Sequence, residues 1–107
     1  MQKKSKNVHK PLNRLYNSIS ISNLWLSILS LANKEQVYAY TLADSIEKKF
    51  GFKPSRLLVY LVLYKLESEK YLTSNEKDKR KYYRISKEGK LLLEEGKKLL
   101  RKRAQEI

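Results

Sequence analysis

The chain of 107 residues has no cysteine, three glycines, two prolines and one histidine. Without cysteine there is no disulfide, thiolate metal ligand or cysteine nucleophile, so the fold depends on its core alone. The longest uninterrupted apolar run, Leu57 to Tyr64, is too short to cross a membrane. The first 14 residues are charged and contain no apolar segment typical of a signal peptide. We therefore expect a cytoplasmic protein with no membrane partner.

Acidic residues are also scarce, since 11 Asp and Glu face 24 Lys and Arg, which gives a formal net charge of +13. An excess of this size favours a polyanionic partner, and nucleic acid is the first expectation. The composition is 41% hydrophobic and includes eight tyrosines, which indicates a folded domain. Because so short a chain buries only a modest fraction of its surface, a homodimer is favoured.

The sequence lacks the combinations of residues that form catalytic sites. The single histidine, His9, lies in the N-terminal segment, and no pair of carboxylates stands in an apolar context. No glycine-rich loop follows a strand, and no cluster has metal-ligand spacing. We therefore expect no enzyme, no catalytic residue, no metal site and no cofactor.

The N-terminal segment, residues 1–20, has five cations and no acid: Lys3, Lys4, Lys6, Lys10 and Arg14. This pattern predicts a flexible or partly ordered arm, interrupted at Pro11. Three interpretations are open: a solvated tail, an arm that contacts phosphates, or an arm that packs apolar side chains on a neighbouring subunit. The side chains available for such packing are Leu12, Leu15 and Tyr16.

Three helices are predicted after the arm. Ser22 is a plausible N-cap for a helix over about 23–34. The segment 38–51 is amphipathic and ends at Gly51, which supplies a stop, and a short KEQV connection precedes it. Pro54 and Ser55 open a third helix that ends near Lys70. The amphipathic face of the second helix consists of Leu42, Ala43, Ile46 and Phe50.

Strand preference begins at Tyr71, Leu72 and Thr73, a polar turn NEKDKRK follows, and KYYRIS alternates into a second strand. Ser86 then caps a long terminal helix. The order of elements predicts a mainly α (α+β) winged helix-turn-helix with a C-terminal dimerisation helix. We divide the chain into a basic arm (1–20), the winged helix-turn-helix domain (21–86) and the dimerisation helix (87–107).

The stretch KYYRISKEGKLLLEE, residues 81–95, resembles the second wing strand and last helix of the PadR family of winged-helix transcription regulators. Two other stretches fall in the family's order: YAYTLADSIEKKFG is similar to its second helix, and VYLVLYKLESEKYL to its recognition helix. The chain has Ala39 where the family usually has glycine, and Leu57 and Leu58 where it usually has glycine and threonine. The resemblance implies a dimeric regulator that binds double-stranded DNA sequence-specifically.

In this fold the third helix enters the major groove and its first turn does most of the reading. Arg56 is the best candidate for a base contact, since its guanidinium can grip a guanine edge in two places. The wing between the two strands should contact phosphates or an adjacent minor groove. The candidate residues are Lys53, Ser55, Arg56, Tyr60 and Lys65 on the helix, and Lys77, Lys79, Arg80, Lys81 and Arg84 on the wing.

The third helix is unusually apolar for one that reads a groove. Val59, Val62, Leu63 and Leu66 have the spacing of a core face, which leaves other apolar residues of the helix partly unexplained. One hypothesis packs Leu61 and Tyr64 on the arm or the first helix and places Leu58 on thymine methyl groups. The rival hypothesis is that this face binds protein.

The terminal helix has an apolar stripe with spacings of three and four, in which Gly96 would permit a close approach. This stripe predicts a two-fold homodimer. The alternative is that it packs only on its own domain. The dimerisation residues are Leu92, Leu93, Gly96, Leu99 and Leu100.

Three functions fit these features. The first is a dimeric PadR-like transcriptional regulator. The second is a plasmid partition protein that binds a centromere-type site and spreads along DNA. The third is a protein-interaction adaptor that uses the apolar third helix and has a protein partner.

Overall fold

The computed structural model describes residues 10–107, which form five helices and a three-stranded antiparallel sheet. The sheet order is β1-β3-β2, and the helices and hairpin follow one another as the sequence predicts. The mainly α winged helix-turn-helix is therefore confirmed. The helices are α1 (Lys10–Ser18), α2 (Leu24–Lys34), α3 (Ala39–Phe50), α4 (Arg56–Ser68) and α5 (Lys87–Glu106), and the strands are β1 (Val37–Tyr38), β2 (Leu72–Lys77) and β3 (Arg80–Ile85).

The core lies where α2, α3 and α4 meet and the hairpin closes over them. Each helix contributes apolar residues three or four apart, so that one stripe of each is removed from water. The hairpin adds Leu72 and Tyr83, and α5 adds Leu93. The most deeply buried side chains are Ile28, Leu29, Leu42, Ile46, Val59, Leu63 and Leu72.

Three predicted helix boundaries are confirmed by their hydrogen bonds. Gly51 ends α3 in the left-handed region, with φ of 84°, and its N–H donates to the carbonyl of Glu47. Ser55 caps α4 by accepting from the N–H of Leu58 at 3.1 Å, and Ser86 caps α5 by accepting from Gly89 at 3.0 Å. These caps position the helix and hairpin ends that form the site.

The prediction that Ser22 caps the first of the three helices is wrong. Ser22 lies in a 3-10 turn (Ile21–Asn23), and α2 begins after Asn23, whose side chain makes no cap hydrogen bond. The Asn23 amide is used elsewhere, because its Nδ2 donates to the carbonyl of Ser18 and its Oδ1 accepts from Trp25.

Strand β1 was not predicted: it joins Val37, the last residue of the predicted KEQV connection, to Tyr38, the first residue of the predicted second helix. Val37 pairs with Tyr83 and Tyr38 with Tyr82. Two residues are too few to show the alternation that identifies a strand from sequence, and the pairing depends on a neighbour more than 40 residues away.

The wing, defined as the β2–β3 hairpin, is longer and its turn tighter than predicted. The ladder continues to the pair Lys77 and Arg80, so only Asp78 and Lys79 form the turn. Both have positive φ, 53° and 65°, as a two-residue hairpin turn of the right twist requires. The predicted end of the third helix near Lys70 is confirmed, since α4 ends at Ser68 and Lys70 adopts a left-handed φ of 71°.

Part of the predicted arm is helical, since α1 covers Lys10–Ser18. Pro11 lies in its first turn, where the missing N–H costs nothing. Leu12 and Leu15 are exposed on this helix, and Tyr16 is half-buried. The predictions for Lys3, Lys4, Lys6 and His9 lie outside the described residues.

Candidate nucleic-acid interface

Arg56 lies at the start of α4, where Ser55 fixes the direction of the helix. Its guanidinium carbon sits 4.3 Å from the centre of the Tyr40 ring on α3. This cation–π contact holds the guanidinium over the ring and limits the conformations of a long side chain. Arg56 is therefore presented in a restrained position, as a group that must meet a base edge should be.

Tyr38 and Tyr40 are functional candidates that sequence reasoning missed. Tyr38 precedes α3 and its ring centre lies 6.0 Å from that of Tyr40 and 5.5 Å from that of Tyr82 on the wing. The three rings therefore run from the recognition helix to the wing. The available signal was that Tyr38 and Tyr40 lie outside the apolar stripe of the second helix.

The wing brings its cations to the same surface. The guanidinium carbon of Arg80 lies 5.3 Å from the centre of the Tyr38 ring. A shallow groove of about 310 Å³ separates the wing from α4, with Tyr60 on one wall and Lys79 and Arg80 on the other. The fold thus unites Arg56, Tyr60, Lys79 and Arg80, which are up to 24 positions apart in sequence.

Lys81 has a different environment, on the side of β3 that faces α4. Its Nζ lies 3.4 Å from a carboxylate oxygen of Glu67 and 5.4 Å from the centre of the Tyr83 ring. Tyr83, together with Glu67, raises the pKa of Lys81. Ser74 donates a short hydrogen bond to the same carboxylate. These contacts join both wing strands to α4 and fix the wing's orientation.

The remaining predicted cations are not gathered at this groove. Lys53 forms a salt bridge of 3.0 Å with Asp44, and its hydrogen bond and charge lower the pKa of that carboxyl. Lys65 lies on the other flank of α4, in a groove it shares with Trp25 and Leu61. Lys77 and Arg84 are exposed on the wing.

The outward face of α4, defined as Leu57, Leu61 and Tyr64, lies opposite its core stripe. These side chains are 69%, 57% and 73% exposed, respectively. The prediction that Tyr64 packs on the arm or the first helix is therefore wrong for the described residues, whereas Leu61, although more than half exposed, lies at the edge of the groove lined by Trp25 of the first helix. Leu58 and Val62 line the groove beside Trp25 and are half-buried. Val62, which was predicted in the core face, therefore lies at the edge of the core.

The predicted dimerisation residues on α5 divide into two groups. Leu93 is buried, Leu92 packs against the core, and Gly96 faces Trp25 and Leu26 of the same chain. A Cβ at Gly96 would lie 2.9 Å from the Trp25 ring, so this glycine permits close approach of α2 and not, as the sequence suggested, of a second subunit. Leu99 and Leu100 remain exposed, as does the helix from Lys97 onward.

Among residues 10–107, no group of three or more His, Asp or Glu side chains is arranged to hold a metal ion. None of the helices in that range combines the length and apolar character needed to cross a bilayer.

Comparison with known proteins places the chain in a family. The model of the transcriptional regulator PadR-like family matches residues 28–95. A PadR-like transcriptional regulator from Bacillus cereus is 30% identical, with a TM-score of 0.71 over 82% of this chain and 90% of that one.

A PadR family regulator from Clostridium difficile is 28% identical, with a TM-score of 0.70 over 76% of this chain and 90% of that one. Bacillus subtilis PadR, solved in complex with operator DNA, shares the fold at 23% identity and a TM-score of 0.60, over 67% of this chain and 45% of that one. The search of curated proteins found no match. With its family model matching more than half of its residues, this chain belongs to the PadR-like family of transcriptional regulators.

Proposed function

We propose that the protein binds operator DNA as a homodimer and regulates transcription by occupying a promoter. The observation that carries this proposal is the convergence of Arg56 and Tyr60 with Lys79 and Arg80 around one groove. Separate elements have brought a restrained guanidinium and a basic hairpin tip to the same side of the molecule. This arrangement lets the protein contact a base edge and the neighbouring DNA phosphates at the same time.

Each group has a distinct role in this proposal. Arg56, anchored on Tyr40, donates two hydrogen bonds to a guanine edge in the major groove. Lys79 and Arg80 contact phosphates, with Lys77 and Arg84 extending the contact along the wing. Lys65 adds charge at the flank of the helix, whereas the charge of Lys53 is balanced by Asp44. None of these roles includes a chemical step, so in this proposal the protein acts by binding alone and needs no cofactor. We place this activity in the cytoplasm.

The homodimer uses the part of α5 beyond Gly96. The side of the helix that packs on the domain through Leu93 and Gly96 continues outward as Leu100, with Leu99 beside it. Leu12 and Leu15 on α1 are apolar and exposed as well. A second copy that covers these leucines would remove them from water and place two recognition helices on one duplex.

Plasmid partition and a protein adaptor are the competing functions. Transcription regulators among the similar structures favour operator occupancy over partition. The same chemistry would serve both DNA-binding functions, so the length of the DNA footprint separates them. An adaptor would bind DNA weakly and without sequence preference.

A footprinting titration on promoter DNA tests the proposal. We expect a footprint of fixed length with half-sites about 34 Å apart, or a multiple of that distance. If the dimer makes about six to ten phosphate contacts, raising the salt from about 50 to 200 mM should weaken binding by three to five orders of magnitude. A footprint that lengthens with protein concentration would indicate spreading, and binding that ignores salt would contradict the mechanism.

A further inference from the structure

We propose that the outward face of α4 recognises thymine methyl groups, so that the operator contains consecutive thymines beside the base read by Arg56. The inference rests on the proposed function and names the DNA sequence that the same site selects. It starts from the three exposed side chains Leu57, Leu61 and Tyr64.

These side chains form one continuous apolar strip. Spacings of four and three residues place them along the same side of the helix, opposite the buried Val59, Leu63 and Leu66. From Leu57 to Tyr64 the helix rises about 10 Å, which matches about three base-pair steps of DNA. Exposed apolar groups at this density indicate a partner that covers them.

The charges around the strip identify the class of partner. Arg56 stands at its N-terminal end and Lys65 at its flank, and the wing presents Lys79 and Arg80 beyond Tyr60. The acid within α4, Glu67, faces the wing and is engaged by Ser74 and Lys81. The face is therefore apolar in the middle and positive at its borders, which fits an anionic partner that has apolar groups between its charges.

The major groove of DNA has this character only where thymine occurs. The C5 methyl of thymine is the apolar group on the base edges, whereas cytosine offers an amino donor and guanine two acceptors. A leucine has nothing to pair with those polar atoms, so covering them would remove their water without replacement. Leucine against a thymine methyl avoids this loss and buries apolar area on both sides.

Replacing thymine by deoxyuridine tests this inference directly, because it removes one methyl and keeps the base pair and the phosphates. The site is first selected from a randomised duplex library, and we expect the enriched sequence to contain consecutive thymines. Each deoxyuridine at a contacted position should then weaken binding about fourfold, the effect of one apolar carbon. Deoxyuridine outside the footprint should change nothing.

Two protein variants identify the face responsible. Leu61→Ala should bind the thymine and deoxyuridine duplexes with nearly equal affinity at the position it contacts. Leu91→Ala removes a comparably exposed leucine from α5 and should keep the full difference. If the unmodified protein binds both duplexes equally, with its salt dependence intact, the inference is wrong and the proposed function stands.

A different experimental result would contradict both the proposed function and the thymine preference. A protein that binds no duplex at low salt contradicts the proposed function and this inference together. A fall in oligomeric mass caused by Leu61→Ala, without any change in the thymine preference, would assign the face to a second copy of the chain and overturn the inference.

Discussion

The wing and α5 have the same net charge, but their cations differ in how many form salt bridges with acidic side chains. The wing has five cations and two acids, and α5 has seven cations and four acids, so each has a net charge of +3. On α5, helical spacing sets cations three or four residues from glutamates, and four such pairs form between 3.2 and 3.8 Å. Among residues 10–107, no acid forms a salt bridge with Lys79 or Arg80 at the wing tip.

The difference shows that the count of charges does not locate a binding surface. Asp78 lies in the turn and Glu76 is paired across the ladder with Lys81, and neither forms a salt bridge with the cations of the tip, whereas helical spacing pairs glutamates with cations on α5. At the tip, Arg80 contacts the Tyr38 ring, which leaves its positive charge available to a phosphate. This contrast is the reason we propose the wing for DNA contact and α5 for subunit contact.

The largest expected effect comes from the subunit contact. Leu100→Glu places a charge where the proposed partner covers α5, and burial of a leucine contributes about 1.5–3 kcal/mol in each of two copies. We expect the dimer dissociation constant to rise about a hundredfold or more, measured by sedimentation equilibrium. Leu91→Glu, on another side of α5, is the control and should leave the mass unchanged. A monomeric parent protein at micromolar concentration would refute the assignment.

The second prediction compares equal losses of charge in the two regions. Replacing Lys79 and Arg80 by alanine removes two phosphate contacts, so the slope of log affinity against log salt should fall by about 1.8. Over a tenfold range of salt this is a difference of about 60-fold. Arg101→Ala with Lys102→Ala should leave the slope unchanged. Equal slopes for the two double variants in fluorescence anisotropy would break the comparison.

The third prediction concerns the joint between the regions, where Gly89 packs against the end of the hairpin. A Cβ there would lie 2.2 Å from the carbonyl oxygen of Tyr71, which belongs to the backbone and cannot move aside alone. Gly89→Ala should lower the free energy of unfolding by about 1–3 kcal/mol, the usual effect of overpacking.

Gly96→Ala is the matched control for this variant. Its Cβ meets the ends of the Trp25 and Leu26 side chains at 2.9 and 3.0 Å, which can shift, and alanine adds about 1 kcal/mol of helix propensity at both glycines. Urea denaturation should therefore show a clearly smaller loss for Gly96→Ala. Equal losses would mean that the joint is no more rigid than the middle of α5.

The smallest effect is expected at Ser86, which caps α5 and donates to the carbonyl of Lys70 at 2.7 Å. Ser86→Ala removes both hydrogen bonds and should cost about 1 kcal/mol of stability. Ser86→Asp keeps the capping acceptor and should recover part of that loss in the same denaturation experiment. If both variants match the parent protein, the cap does not stabilise α5 against the connection between α4 and the wing.

Much of the fold was predictable because its signals are local. The caps at Ser55 and Ser86 and the stop at Gly51 depend on hydrogen bonds that span three or four residues. The core faces of α3 and α4 follow from helical spacing. β1 was not predictable, since two residues have no period and their partners, Tyr82 and Tyr83, come from the distant wing.

The site was predictable only in its basic residues. Arg56, Lys79 and Arg80 were candidates because of their type and their place in the order of elements. Tyr38 and Tyr40 were not, because the rings of β1, α3 and the wing come together only after folding. The assignment of Gly96 to the subunit interface failed for the same reason, since sequence does not say which helix a glycine faces.

By itself the sequence determined the excess of positive charge, the order of α2 to α5 and the hairpin, and the caps at Ser55 and Ser86, because composition and short-range hydrogen bonding do not depend on distant neighbours. Only the tertiary structure decided which cations are engaged by carboxylates and which apolar side chains remain exposed to solvent. Lys53 and Lys81 are held by carboxylates on neighbouring elements, and Leu57, Leu61 and Tyr64 are exposed because the core uses the opposite side of α4. Both outcomes depend on which surfaces meet, and only the packed chain fixes that.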